Sequence, residues 1–151
     1  MDRTAAANRE KADLFMSIHV NSSPRRDARG AETYFLAYQA LDQDGRDLAS
    51  AENEGAGFTN DDPASALDLV LWDLAQSEHL RESSQLAEIV QRELNAALDI
   101  RDRGVKQAPF RVLMGAGMPA VLVEVGFISN PAEESSLADG AYRDRIAGAL
   151  G

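Results

Sequence analysis

The sequence predicts an α/β domain, a sandwich built on a mixed sheet with helices on its faces. Three observations carry that expectation. Two runs of strand length, Leu14 to Val20 and Ala120 to Phe127, are almost continuously apolar, as in strands covered on both faces. Between them apolar residues recur at helical spacing: Leu67, Val70, Leu71 and Leu74, then Leu86, Val90 and Leu94 with Ala97 or Leu98. The resulting order of strand, strand, helices, strands and helix fits a layered architecture with a mixed sheet.

Taken in order, Thr4 to Lys11 reads as a short helix with small alanines inward, running straight into the first buried strand. In that strand Leu14, Met16, Ile18 and Val20 share one face, and Phe15, Ser17 and His19 the other. A central parallel strand needs neighbours on both sides, so the chain is expected to be the C-terminal portion of a longer domain. Asn21 to Gly30 is a loop by composition and carries Arg25, Arg26 and Arg29. These are either a solvated loop tip or a cationic rim able to attract carboxylates. Ala31 to Ala37 reads as a second strand, with Glu32 expected as an exposed or edge carboxylate that could stand beside a site following His19.

Asp42 to Glu54 is a polar helix with Leu48 and Ala49 inward, stopped by Gly55 and Gly57. A flexible loop, Gly55 to Asp62, leads to Asp62-Pro63, an N-cap followed by proline at the first helical position. Leu69 and Trp72 lie off the apolar stripe of the helix that follows and suggest a second contact surface. Ser77 to Ser84 breaks the pattern, which makes His79 a surface histidine. After the helix over Gln85 to Leu98, Asp99 to Pro109 is a connecting loop, and Phe110 to Met114 a short strand before a Gly115-Ala116-Gly117 turn. Pro119 opens the last strand, where its missing N–H is tolerated. Asn130-Pro131-Ala132-Glu133 then resembles a capping box, and Tyr142, Ile146, Ala149 and Leu150 form the face of the final helix.

The whole-chain numbers narrow the function. At 151 residues the chain holds one domain with one core, and 44% hydrophobic content makes it globular. A net charge of −10 argues against nucleic acid or an anionic membrane surface as partner. The absence of cysteine excludes thiol catalysis, disulfides and thiolate-bound metal, and still allows an exported protein. No apolar run approaches the roughly 18 residues of a membrane span. Met1 to Asp13, polar and alanine-rich, is no signal peptide.

Two residues break the apolar pattern. His19 ends one buried strand at its C-terminal edge, where ligands bind in open α/β sheets. Glu124 interrupts the other, and a buried carboxylate needs a cation, hydrogen bonds or a raised pKa. Each has an ordinary reading, a satisfied core histidine and a carboxylate wetted at the strand's mouth. Together they are the raw materials of a zinc hydrolase, although catalytic zinc takes three protein ligands and a water.

Three segments, in order, resemble the zinc-dependent N-acetylmuramoyl-L-alanine amidases of the bacterial cell wall. They are NREKADLFMSIHVN (Asn8 to Asn21), GAETYFL (Gly30 to Leu36), and the stretch from Gly104 to Glu134 containing VKQAPFRVL and MPAVLVEVGFISNP. The resemblance implies a three-layer, hydrolase-type sandwich with a twisted mixed sheet flanked by helices, its first strand and helix preceding Met1. It implies that His19 is a zinc ligand and Glu124 the catalytic glutamate, with Asn21 as a contact behind the ligand or to substrate. The family's remaining ligands, a His and a Glu, would also precede Met1, so activity of residues 1–151 by themselves is in question.

The implied reaction is hydrolysis of the amide joining N-acetylmuramic acid to L-alanine in peptidoglycan, in the periplasm or outside the cell, by a monomer. Pro63 to Gln76 would lie where related enzymes carry a helix over the zinc, and is either an ordinary packing helix or a gate or the contact for a protein activator. The rivals are a zinc-free wall-binding or regulatory module and another α/β zinc hydrolase such as a carboxypeptidase.

Overall fold

The longest apolar run becomes the best-covered strand. In the computed structural model, which describes residues 3–37, 40, 42–55 and 66–151 (backbone alone for 66–78), every residue of the strand Ala120–Phe127 is buried. The elements are α1 (Arg3–Arg9), β1 (Phe15–Asn21), β2 (Ala31–Leu36), α2 (Gln43–Gly55), α3 (Ala66–Leu98), β3 (Asp102–Ala108), a 3-10 turn (Arg111–Leu113), β4 (Ala120–Phe127), α4 (Pro131–Ala138) and α5 (Gly140–Leu150). The sheet order is β1-β4-β2-β3, parallel between β1 and β4 and between β2 and β3, antiparallel between β4 and β2. The sheet is therefore mixed, as expected.

Alternation along β4 divides the interior in two. Leu122 packs with Tyr34, Phe110 and Leu113 on the face that also receives Ala49 of α2. Val121, Val123 and Val125 pack on the other face with Val90 and Leu94 of α3 and Tyr142 and Ile146 of α5. Full burial of each such aliphatic side chain contributes about 1.5–3 kcal/mol, and β4 supplies such side chains to both layers. Glu124 has the parity of Leu122 and so faces the α2 layer. It stands opposite His19 in the β1–β4 register and opposite Glu32 in the β2–β4 register. Three chemistry-bearing side chains thus occupy one row across three strands.

Five expectations are corrected. β1 lies at the edge of the described sheet, and Leu14, Ile18 and Val20 are 49%, 56% and 42% exposed, because α3 packs over β2, β3 and β4 rather than over β1. Ser77 to Ser84 does not break the helix: α3 runs through it, with Ser83 buried and its hydroxyl accepting the Ala120 N–H at 2.9 Å. Asp99 to Pro109 contains β3, an edge strand too polar to show an apolar pattern. Phe110 to Met114 is a 3-10 turn, closed by the Leu113 N–H on the Phe110 carbonyl, with Phe110 and Leu113 both buried. Glu32 is neither exposed nor at an edge, for β2 is an inner strand and the residue is 1% exposed.

The N-cap of α4 departs from a capping box in one respect. Asn130 accepts from the N–H groups of Ala132 and Glu133, as an N-cap does. The Glu133 carboxylate, however, turns away from the helix and accepts the N–H groups of Gly30 and Phe127, both at 2.7 Å, pinning the start of β2 to the end of β4.

Candidate metal centre and adjoining groove

His19, near the end of β1, is held between two partners. Its Nε2 meets the hydroxyl of Ser17 at 2.8 Å, two residues back on the same strand face. Its Nδ1 lies 2.7 Å from Oε2 of Glu52 on α2. Glu124 completes the cluster: one donor atom from each of His19, Glu52 and Glu124 lies within 4.8 Å of the others. A histidine whose other ring nitrogen is fixed by a polar neighbour is the usual form of a metal-binding imidazole.

Glu124 is the electrostatic anomaly of this cluster. The residue has no exposed surface, and neither carboxylate oxygen has a hydrogen-bond partner among the described residues. Burial, then the charges of Glu52 and Glu32, push its pKa up to about 8. An orphaned carboxylate beside a second carboxylate and an imidazole is a donor set that suits a divalent cation of borderline softness, zinc among them. The residues present therefore fit the metal that the sequence implies.

Glu52 was not anticipated from the sequence. The signal was present, since Glu52 follows the inward residues Leu48 and Ala49 by four and three positions, which sets a carboxylate on the helix's buried stripe. The anticipated gate, Pro63 to Gln76, lies outside the described residues except for the helical backbone from Ala66 onward. His79 is paired with Glu82 on α3 at 3.0 Å, away from the cluster.

Beside the cluster a groove of about 340 Å³ opens between α2 and the loop after β1. Asn21, Glu32 and Arg103 line it from the sheet, Arg25 from the loop, and Asp44 and Asp47 from α2. Glu32 is neutralised there. Its oxygens accept from Asn21 Nδ2 at 3.0 Å and Arg103 Nε at 2.8 Å, and Lys106 Nζ lies 2.9 Å away. Asn21 thus acts behind the cluster, on Glu32. Arg25, Arg26 and Arg29 are exposed; Arg25 borders this groove, whereas Arg29 lines a separate cavity with Arg101.

A family model described as N-acetylmuramoyl-L-alanine amidase matches residues 1–151. The chain is 35% identical to the N-acetylmuramoyl-L-alanine amidase AmiA of Escherichia coli (strain K12), covering 99% of this chain and 53% of that protein. It is 33% identical to the N-acetylmuramoyl-L-alanine amidase LytC of Bacillus subtilis (strain 168), covering 99% and 22%. Among solved structures it is similar to the N-acetylmuramoyl-L-alanine amidase from Clostridium difficile 630, with a TM-score of 0.66 at 28% identity over 99% of this chain and 59% of that one. The catalytic domain of CwlV from Bacillus (Paenibacillus) polymyxa var. colistinus gives 0.64 at 27% identity, over 98% and 59%. The chain spans about half the length of its Escherichia coli relative.

Proposed function

The chain belongs to the N-acetylmuramoyl-L-alanine amidase family, and from that premise we propose that it serves zinc-dependent hydrolysis of the amide between N-acetylmuramic acid and L-alanine in peptidoglycan. In this reading residues 1–151 are the C-terminal portion of the catalytic domain, His19 is a metal ligand, and Glu124 is the catalytic glutamate. The reaction belongs to the bacterial envelope, where peptidoglycan is. No helix among the described residues is long and apolar enough to cross a membrane.

The observation that carries the reading is Glu124, a carboxylate without exposed surface, and without a hydrogen bond among the described residues, that shares a cluster with His19 and Glu52. His19 and Glu52 would hold the zinc. When bound, it supplies Lewis-acid polarisation of the scissile carbonyl and a water of lowered pKa. Glu124 then serves as general base, taking the proton of the attacking water on a carboxylate oxygen, and as general acid, passing it to the departing amine of L-alanine. Its buried position keeps bulk water from competing for that proton. Ser17 fixes the imidazole ring through Nε2 and leaves Nδ1 turned toward the cluster. The family match supports an amidase over a carboxypeptidase or a non-catalytic wall-binding module.

The test is the product released from purified sacculi by the zinc-loaded complete catalytic domain, of which residues 1–151 are proposed to be the C-terminal portion. Peptides with a newly free N-terminal L-alanine support the proposal. Single terminal residues would make it a carboxypeptidase, and zinc binding without any product would make it a binding module. His19→Ala should lose metal, whereas Glu124→Ala should keep metal and lose turnover.

A further inference from the structure

We propose that Arg103 is the substrate-reading residue of the groove, where its guanidinium receives a free carboxylate of the stem peptide; this rests on the amidase reading above. The side chain is fixed on two sides. Nε donates to Glu32 Oε2 at 2.8 Å, and the guanidinium carbon lies 5.0 Å from the centre of the Phe127 ring. Guanidinium groups held this way are pre-organised for planar, two-point recognition of carboxylates.

What faces Arg103 across the groove is a weak substitute for such a ligand. Nη2 lies 3.6 Å from Asp44 Oδ2, longer than the roughly 2.7–2.9 Å of a charge-assisted hydrogen bond. The Asp44 side chain is 61% exposed, whereas that of Arg103 is 13% exposed. An incoming carboxylate therefore displaces a loosely held, well-hydrated competitor from a cation that is already oriented. Arg103 is also in place relative to the chemistry. Its partner Glu32 stands opposite Glu124 in the strand register, so the groove adjoins the metal cluster across one strand spacing. Arg25, the other cation bordering the groove, is exposed and lies in a loop.

The ligand chemistry follows from the proposed substrate. Stem peptides carry a γ-linked acidic residue after L-alanine, whose α-carboxyl group occurs free or as a carboxamide. Only the free acid can pair with Arg103. The probes are N-acetylmuramoyl-L-alanyl-D-glutamate and its isoglutamine counterpart, titrated by calorimetry into the intact chain. The protein should bind the acid about tenfold more tightly than the amide, a difference of about 1.4 kcal/mol. Arg103→Lys should weaken the acid to the level of the amide and leave the amide unchanged, because lysine keeps the charge beside Glu32 and loses the fork. Asp44→Asn should tighten the acid alone, and Arg25→Gln should leave the ratio in place. Asp44→Asn reads the same contact should Arg103→Lys fold poorly.

Equal affinity of the unmodified chain for acid and amide would overturn the proposal, as would loss of the preference in Arg25→Gln. If that happens while sacculi still yield free L-alanine termini, only the role of Arg103 falls. If neither probe binds and sacculi yield no such termini, the amidase reading falls with it.

Discussion

Nδ1 of His19 lies 2.7 Å from Oε2 of Glu52, and this contact joins the end of β1 to a helix that also meets the sheet through Ala49 and through the longer Asp44–Arg103 pair. A polar helix thereby puts a carboxylate into a cluster that the two buried strands had only half assembled. If Glu52 shares a cation with His19, Glu52→Gln should reduce zinc affinity about tenfold or more, since even partners behind a ligand are worth that much. His19→Ala should abolish binding. Competition with a chromophoric chelator measures both. Unchanged affinity in Glu52→Gln would reduce the contact to a hydrogen bond within the metal-free fold.

The raised pKa of Glu124 has a consequence for stability. A carboxyl group whose folded pKa lies above its unfolded value stabilises the fold fully below the unfolded value, and that contribution is lost as pH rises through the folded value. For Glu124 the window runs from about 4.5 to about 8. Metal-free protein should therefore lose stability across this range, by on the order of 1.4 kcal/mol for each pH step of one within it. Urea unfolding at half-unit pH steps in the presence of a chelator measures the slope. Glu124→Gln should flatten it. Glu52→Gln should narrow the window, because the Glu52 charge is the second cause of the raised pKa after burial. A slope of the same size in Glu124→Gln would assign the effect to another group.

The fold was legible wherever burial is two-sided or helical and apolar. β4 declared itself through an apolar run broken only at Glu124, and α5 through Tyr142 and Ile146. Legibility failed where polar residues are satisfied by distant partners. Asp102 of β3 accepts from Gln91, and Arg103 and Lys106 both reach Glu32, so a strand of seven residues carries no apolar pattern. Ser83 looked like a helix breaker because its partner, the Ala120 N–H, lies thirty-seven positions away. The candidate site divides similarly. His19 and Glu124 stood out as polar residues in apolar strands, and the structure brings them together. Glu52 and Arg103 sit in polar surroundings, and only the fold shows what they face.

Gly30 marks a point where the backbone leaves no room for a side chain. Its φ of +105° is one that non-glycine residues rarely adopt, and a Cβ there would fall 2.2 Å from the Arg101 carbonyl oxygen. Because the Gly30 N–H is also held by Glu133, the turn into β2 has little freedom to relax. Gly30→Ala should lower stability by more than about 1 kcal/mol. Thermal unfolding measures it, and an unchanged midpoint would show that the turn can rearrange.

The strongest stability effect should come from Glu32. It is 1% exposed and sits against two cations, Arg103 and Lys106, whose side chains are 13% and 18% exposed. Removing one partner from a buried ionic group leaves the others uncompensated, which typically costs about 3–5 kcal/mol. Glu32→Ala should fall in that range, while Arg103→Gln should cost less because Lys106 remains on the same oxygen. Denaturant midpoints at fixed slope give the comparison. The order matters more than the absolute size. If Arg103→Gln is the more damaging change, the network is held together by the stacking of Arg103 on Phe127, and Glu32 is secondary to it.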